Sequence, residues 1–358
     1  MAIQTADTLK SVDASTRKRV IYQSEALFAG SSGTSNLQRV QSINYNFTVP
    51  RQDVNQYGQL GQIERVIVEV PTVSLDFDYL LAGVTNEKIL LGNNSGAGTK
   101  GVIYEVNSSS TVEKQKYMIG LSAEGVDHLS AGSAKKKGFI IDQGFLTSYA
   151  WNAAVGEIPS ASVGVESTKM EVGTVSSTGT KSTSTDPVVL RPGNCKFRSC
   201  ATGGAFGSDD DLPALGFNIL HVQSMSVSLD IPRESISRLG DKFEYARLIT
   251  FPLSATMSIE GIVSDQAASN LTDIVGTASV AAPDPGYDLA CKIFKSAAGV
   301  NGLGLRFKNA KIDGHSVSSS IGANKSVTLD YTVQVDEGNN TFTAASAGFY
   351  LEEVTTTS

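Results

Sequence analysis

The sequence predicts a mainly β protein made of two tandem, homologous β-sandwich domains with short flanking helices. Three observations carry this expectation. Residues 39–79, RVQSINYNFTVPRQDVNQYGQLGQIERVIVEVPTVSLDFDY, return without a gap 182 positions later as residues 221–261, HVQSMSVSLDIPRESISRLGDKFEYARLITFPLSATMSIEG, with eight of 41 positions identical. The identities hold a Val-Gln-Ser, a Pro-Arg (Pro50-Arg51, Pro232-Arg233), a glycine (Gly58, Gly240) and an arginine (Arg65, Arg247) at fixed spacing, which alternation alone does not produce. Within the copies apolar and polar residues alternate, as Ile43, Tyr45, Phe47 and Val49 do with Asn44, Asn46 and Thr48, and that is the period of a half-buried strand. Charged residues make up only 18% of the 358 while Ser, Thr, Gly and Val abound, a composition of β structure rather than of helical bundles.

A fainter block repeats downstream. Residues 146–165 align with 312–331 at a shift of 166, matching in alternation around a glycine turn (Gly156, Gly322). Both blocks keep their order, so the expected layout is one domain duplicated, with a longer middle insert in the first copy. The boundaries are an arm at 1–19, a first domain at 20–172, a Gly/Ser/Thr-rich linker at 173–186, a second domain at 187–342 and a tail at 343–358 that has no obvious core to join.

In chain order, 20–29 reads as a strand. Pro50 ends the strand that begins near Ile43, and 51–62 reads as a long protruding loop, with its counterpart at 233–244. The run 63–79 is broken by Pro71 into two halves. A short helix is expected at 86–91, a loop at 92–101 and a solvated turn at Lys135, Lys136 and Lys137. Residues 146–166 form a hairpin around Gly156-Glu157, and the second copy adds a loop at 203–211 and helices at 266–275 and 287–298.

Several function classes are disfavoured. A net charge of -7 and a pI near 5.1 oppose general nucleic-acid binding. Neither a signal-peptide core nor a run of 18 apolar residues occurs, so folding in a cytoplasm and no membrane association are expected. Cys195, Cys200 and Cys291 fit no zinc spacing and are expected as reduced thiols, with a Cys195 to Cys200 bridge as the alternative. His128, His221 and His315 lie in unrelated contexts, Asp209-Asp210-Asp211 lacks the interleaved glycine and later glutamate of a calcium loop, and GAGTKG at 96–101 lacks the GK[ST] ending of a phosphate loop. No catalytic residue, metal or cofactor is expected, and the chain is not read as an enzyme.

The informative residues are those alternating with the apolar ones. They include Asn44 and Asn46; Ser74, Asp76 and Asp78; Glu166; Asp230; Ser258 and Glu260; Asp330 and Asp336, seven of them acidic, and no Lys or Arg joins them. A solvated sheet face ordinarily mixes charge signs. Small neutral and acidic side chains suit a wall past which a polyanion slides without adhering; a Ser/Thr-rich sandwich exterior is the plain alternative.

The duplicated block, the loops after Pro50 and Pro232, the YAWNAAVGEIPSASVGVE hairpin and its VSSSIGANKSVTLDYTVQV counterpart together resemble the major tail tube protein of tailed bacteriophages, in the duplicated form of some long non-contractile tails. The resemblance is one of pattern and order over residues 20–335. It implies sandwiches whose sheets join between subunits into a closed ring barrel, three chains per ring, and rings stacked into a tube in the virion tail after assembly in the host cytoplasm. It implies as partners further copies of the chain, tail terminator and baseplate or tip proteins and an internal tape-measure protein, with DNA only in transit. The acidic and small polar residues named above would line the lumen, and Arg51, Gln52, Asp53, Tyr57, Arg233, Glu234, Arg238 and Asp241 would lie on ring-stacking loops. Four strands from each of six domains would close a barrel roughly 48 Å across, leaving on the order of 38 Å inside the side chains, wider than a duplex of roughly 20 Å. A baseplate ring or capsid decoration protein remains an alternative. So does an extracellular adhesin or carbohydrate-binding sandwich, which would call for exposed aromatics, whereas the single tryptophan, Trp151, falls on the apolar face.

Overall fold

The computed structural model describes residues 22–92, 101–108, 113–123, 127–129, 136–175, 189, 195–201, 217–241, 243–266, 286–294, 302–318, 324–335 and 348–354. The chain is mainly β. Its strands are β1 (Tyr22–Ala29), β2 (Ser35–Asn36), β3 (Val40–Thr48), β4 (Arg51–Val54), β5 (Glu64–Ile67), β6 (Thr72–Leu80), β7 (Gln115–Ala123), β8 (Lys136–Ala154), β9 (Ser160–Ser167) and β10 (Lys169–Val175). Then follow β11 (Cys195–Ala201), β12 (Phe217–Asp230), β13 (Arg233–Ile236), β14 (Ala246–Ile249), β15 (Leu253–Gln266), β16 (Tyr287–Ile293), β17 (Gly302–Ser318), β18 (Ser326–Val335) and β19 (Gly348–Val354). Two short helices, α1 (Thr85–Leu90) and α2 (Val102–Ser108), fall between β6 and β7.

Eight strands make one antiparallel sheet in the order β3-β6-β9-β8-β12-β15-β18-β17. Behind it lie two shorter sheets, β2-β1-β7-β8-β10 and β11-β16-β17-β19. β8 and β17 are long because each serves two sheets. β8 pairs β7 and β10 through its first half and β9 and β12 through its second, and it changes sheet beside Gln143, whose φ is 54°. β17 does the same beside Asn309, also at φ 54°. A left-handed residue at a bulge bends a strand from one layer into the other, a usual way to turn a sandwich corner.

The registers of the two halves coincide. Shifted by 182, the β3/β6 ladder falls on β12/β15, including the irregularity between Val40 and Ser42 that returns between Val222 and Ser224. Shifted by 166, β8/β9 falls on β17/β18, with the bulge between Leu146 and Ser148 returning between Ile312 and Gly314. Gln143 and Asn309 are related by the same 166. The hairpins β4/β5 and β13/β14 match too, Arg51 opposite Ile67 and Arg233 opposite Ile249.

One continuous core fills the space between the layers. It takes Leu75, Phe77, Val163, Tyr149 and Trp151 from the first half of the large sheet, Val227, Leu229, Met257, Leu329 and Tyr331 from the second, and Ile119, Leu305 and Phe307 from the sheets behind. Leu90 of α1 and Val102, Ile103 and Val106 of α2 are buried in it. The Asn86 side chain anchors α1 by bonding both the N–H and the C=O of Gln38, at 2.8 Å each.

Several expectations change. The segment 51–62 is an extended hairpin arm rather than a loop, since Arg51–Val54 pairs with Glu64–Ile67. Lys136 and Lys137 open β8, where cross-strand pairing to Val175 and Thr174 replaces the expected turn. Those pairs, with Gly173 opposite Gly138, draw Gly173–Val175 of the expected linker into β10. Residues 287–293 form strand β16, not a helix, because residues of both parities are buried between β11 and β17, where a two-sided environment hides period-two alternation. The tail joins the core: Phe349, Tyr350 and Leu351 of β19 are buried on the edge of β17. Helix α2 is an addition to the expected elements. The arm at 1–19, the linker residues 176–186, the loop 203–211 and residues 267–275 lie outside the described residues.

Glu87, in α1, is fully buried; the Tyr79 hydroxyl donates to its Oε1 at 3.0 Å, and its Oε2 has no partner among the described residues. Burial pushes its carboxyl from 4.5 up to about 7. The folded pKa exceeds the unfolded one, so the stability tied to the neutral acid is complete below pH 4.5 and is lost as pH rises through 7. Denaturant melts at pH 5 and pH 8 should show the native chain losing about 3 kcal/mol over that interval through this group, and Glu87→Gln should lose correspondingly less.

Candidate functional site

Paired residues on antiparallel strands project from the same face, so the registers decide which polar residues meet. One row crosses all eight strands: Ser42, Asp78, Ser162, Ala150, Ser228, Thr256, Thr332 and Lys311. Beside it run Asn44 with Asp76, and Asn46 with Ser74 and Glu166. On the other flank run Ser226 with Ser258 and Asp330, and Ser224 with Glu260 and Thr328. Asp230 lies opposite Ser148. Ten of the eleven residues expected on this face therefore share it, and Asp336 lies outside the described residues. Across the junction of the halves the face is concave, its hollow lined among others by Asn152, Ser162, Ser226, Ser258 and Glu260.

Hydroxyls hold the carboxylates. Ser42 and Ser162 both donate to Asp78, at 2.7 and 2.6 Å, Ser258 donates to Asp330 at 2.6 Å, and Ser224 donates to Glu260 at 3.3 Å. Serine serves well there, because its short side chain brings a donor to the neighbouring strand at little entropic cost. Room is made by glycine: a Cβ on Gly164 would stand 2.5 Å from the Ser148 hydroxyl, and one on Gly314 would stand 3.1 Å from a carboxylate oxygen of Asp330. In each half one member of that cross-strand pair is a glycine, on opposite strands.

Among the described residues, cations reach this face only at its margins. Lys311 joins the row because the bulge at Asp313 re-phases β17, which simple alternation back from Ser316 does not reveal. Arg247, from the β13/β14 hairpin, meets Glu166 at 2.7 Å and Glu244 at 2.9 Å while itself nearly buried. Arg247 and Arg233 both lie over the Phe145 ring, at 5.6 and 5.1 Å. Arg233 also donates through Nε to the Leu146 carbonyl at 3.1 Å, and burial pushes its pKa down to about 10. This arginine, expected on a ring-stacking loop, thus binds the other half of its own chain.

The remaining loop residues are solvent-facing. Asp53 takes Arg65 at 3.2 Å and the Gln62 amide at 2.7 Å. Arg238 pairs with Asp241 at 2.6 Å and lies over Tyr245 at 5.2 Å. Arg51, Gln52, Tyr57 and Glu234 are exposed.

Reactive groups do not converge on the face. Among the described residues no three His, Cys, Asp or Glu side chains are grouped to hold a metal. His128 is buried behind the sandwich, its Nδ1 3.0 Å from the Ser122 hydroxyl, while His221 and His315 are exposed on separate strands. No disulfide joins the cysteines; Cys195 Sγ lies 3.6 Å from Cys291 Sγ rather than against Cys200. No helix among the described residues is long and apolar enough to cross a membrane.

The hairpin contact is open to a direct test. Arg247→Ala leaves Glu244 buried without its cation and should cost about 3 kcal/mol in urea unfolding, whereas Arg65→Ala, which removes the equivalent arginine from an exposed pair with Asp53, should cost under about 1 kcal/mol.

No protein-family model and no curated protein sequence matches the chain.

Proposed function

We propose that this chain is a structural subunit of a bacteriophage tail tube: a duplicated sandwich that assembles three to a ring, stacks into a tube and lines it with the polar face of its large sheet to conduct DNA into the host. The observation that carries the reading is the eight-stranded sheet itself. Two four-stranded halves in matching registers lie edge to edge and share one face of hydroxyls and carboxylates, hollowed at their junction. Three such sheets supply the 24 strands that a barrel wide enough for duplex DNA requires.

The chemistry of the face suits transit. Every lysine or arginine on a wall gives DNA phosphates a counterion-releasing contact, and a row of such contacts would hold the polymer. Here, apart from Lys311 at the end of the row, carboxylates repel it and hydroxyls offer only short, neutral contacts. Mutual repulsion among the carboxylates is softened by the serine hydrogen bonds and screened by salt over a Debye length of about 8 Å. Trp151 is buried and offers no platform to a sugar ring, and the exposed aromatics Tyr57 and Tyr245 lie on the two hairpins rather than on the polar face.

Two outcomes test the reading. Negative-stain microscopy of purified protein should show rings or tubes; monomers at every salt and protein concentration would count against it. Lysine at Ser74 and Asp76, or at Ser258 and Glu260, should leave tubes intact while slowing DNA delivery in an ejection assay, and delivery at the native rate from such tubes would remove the conduit mechanism.

A further inference from the structure

The junction of the two halves is a main-chain ladder. β12 pairs antiparallel with β8, Ser226 opposite Asn152, Val227 opposite Trp151, Ser228 opposite Ala150, Leu229 opposite Tyr149 and Asp230 opposite Ser148. The ladder is extended at its ends by Val155 N–H to the Gln223 carbonyl (2.9 Å) and Ile231 N–H to the Thr147 carbonyl (2.7 Å).

The strands equivalent to these two are the open ends of the same sheet. β3, equivalent to β12 at 182, pairs only with β6, and residues 311–318 of β17, equivalent to the second half of β8 at 166, pair only with β18 among the described residues. Their apolar side chains are correspondingly bare. Phe47 is 58% exposed where its equivalent Leu229 is 0%, and Val317 is 54% exposed where its equivalent Trp151 is 2%. Ile67 of the neighbouring hairpin is 55% exposed where Ile249 is 8%. Open strand edges carrying apolar residues invite pairing with another chain.

We propose that the occupant of each edge is a second copy of this chain, with β3 of one copy pairing antiparallel to β17 of the next in the register of the internal junction. Applying the two shifts to the β12/β8 pairs sets Asn44 opposite Ser318, Tyr45 opposite Val317, Asn46 opposite Ser316, Phe47 opposite His315 and Thr48 opposite Gly314. The interface is heterologous, one edge meeting the other, so repetition closes a ring or runs on as a filament. Tyr45, Val317 and Phe47 then turn to the core side, while Asn44, Asn46, Ser316 and Ser318 continue the polar face without a cation. The joint deepens the tube reading and rests on it for the closure at three copies, but the pairing itself follows from the repeated registers. It is confined to the strands: the seat that Phe145 and Glu166 give the β13/β14 arginines is taken at the equivalent positions by Lys311 and Thr332, so the β4/β5 hairpin has no matching ring or carboxylate there.

Cysteine pairing tests the register in the full chain. Residues directly opposite on antiparallel strands have Cα atoms about 4.5–5.5 Å apart, within disulfide reach. Asn46→Cys with Ser316→Cys, assembled and then mildly oxidised, should give covalent oligomers ending at three chains on a denaturing gel. Thr48→Cys with Ser318→Cys, four residues out of register and about 13 Å apart, should not, and the parent chain controls for its native thiols. Rings or tubes by microscopy with no Asn46→Cys/Ser316→Cys product, or with equal product from the shifted pair, would overturn the joint and leave the tube reading standing. A covalent ladder running past three chains would uphold the joint and remove the ring of three. Neither assembly nor product at any concentration would remove both.

Discussion

The backbone ladder between β8 and β12 is the constraint on which the large sheet depends. It joins two four-stranded halves into one surface, and without it each half would present an open edge bearing Tyr149 and Trp151 or Val227 and Leu229, all of which the junction buries. Main-chain pairing suits that task because it specifies direction and register while leaving side chains free to differ. The halves accordingly share few identities yet place their bulges at equivalent points. A one-residue slip at this ladder would turn every serine and carboxylate of one half into the core, so the joint and the polar face are specified together.

The large sheet was largely legible in the residues. Alternation identified the inner strands, and the registers bring Asn44, Asp76, Glu166, Asp230, Glu260 and Asp330 to one face because period-two patterning survives wherever one side of a sheet is wet. It failed where both sides are covered. β16 reads as an apolar run with no wet side, and β19 reads as a Thr/Ala-rich tail because its buried residues, Phe349 to Leu351, are consecutive rather than alternate. Lys311 escaped because a bulge, invisible in composition, moves the phase by one. The hairpin arginines escaped for a different reason: the identity of Arg65 with Arg247 marks a shared position, but only packing separates the exposed member from the one held between Glu166 and Glu244.

That contrast bears on how far a repeated sequence can be read as a repeated function. Backbone geometry transfers between the halves at every described strand of the large sheet, whereas side-chain chemistry transfers only where the backbone alone sets it. The Ser42 bond to Asp78 and the Ser224 bond to Glu260 are equivalent, as are the Gln41 and Gln223 amides bonding the carbonyls of Arg39 and His221. These are cross-strand or near-neighbour contacts with little freedom. The hairpin seat is not equivalent, since it depends on Phe145 and Glu166 on a different strand, and the second half carries Lys311 and Thr332 instead.

The same reasoning ranks the forces at an edge-to-edge joint between copies. A ladder of backbone hydrogen bonds supplies register, but each bond adds only about 1 kcal/mol once exchange with water is counted. Burial of the exposed parts of Phe47 and Val317, a little over half of each residue, adds roughly 1–2 kcal/mol apiece. Against this stands the repulsion of carboxylates such as Asp76 and Asp330 brought into a common enclosure, which weakens as salt rises. Attraction at the joint is therefore uncharged and short-ranged, while opposition is electrostatic and screened, so assembly through this edge should strengthen with ionic strength. An interface dominated by ion pairs would weaken with salt, and the dependence on salt alone separates the two.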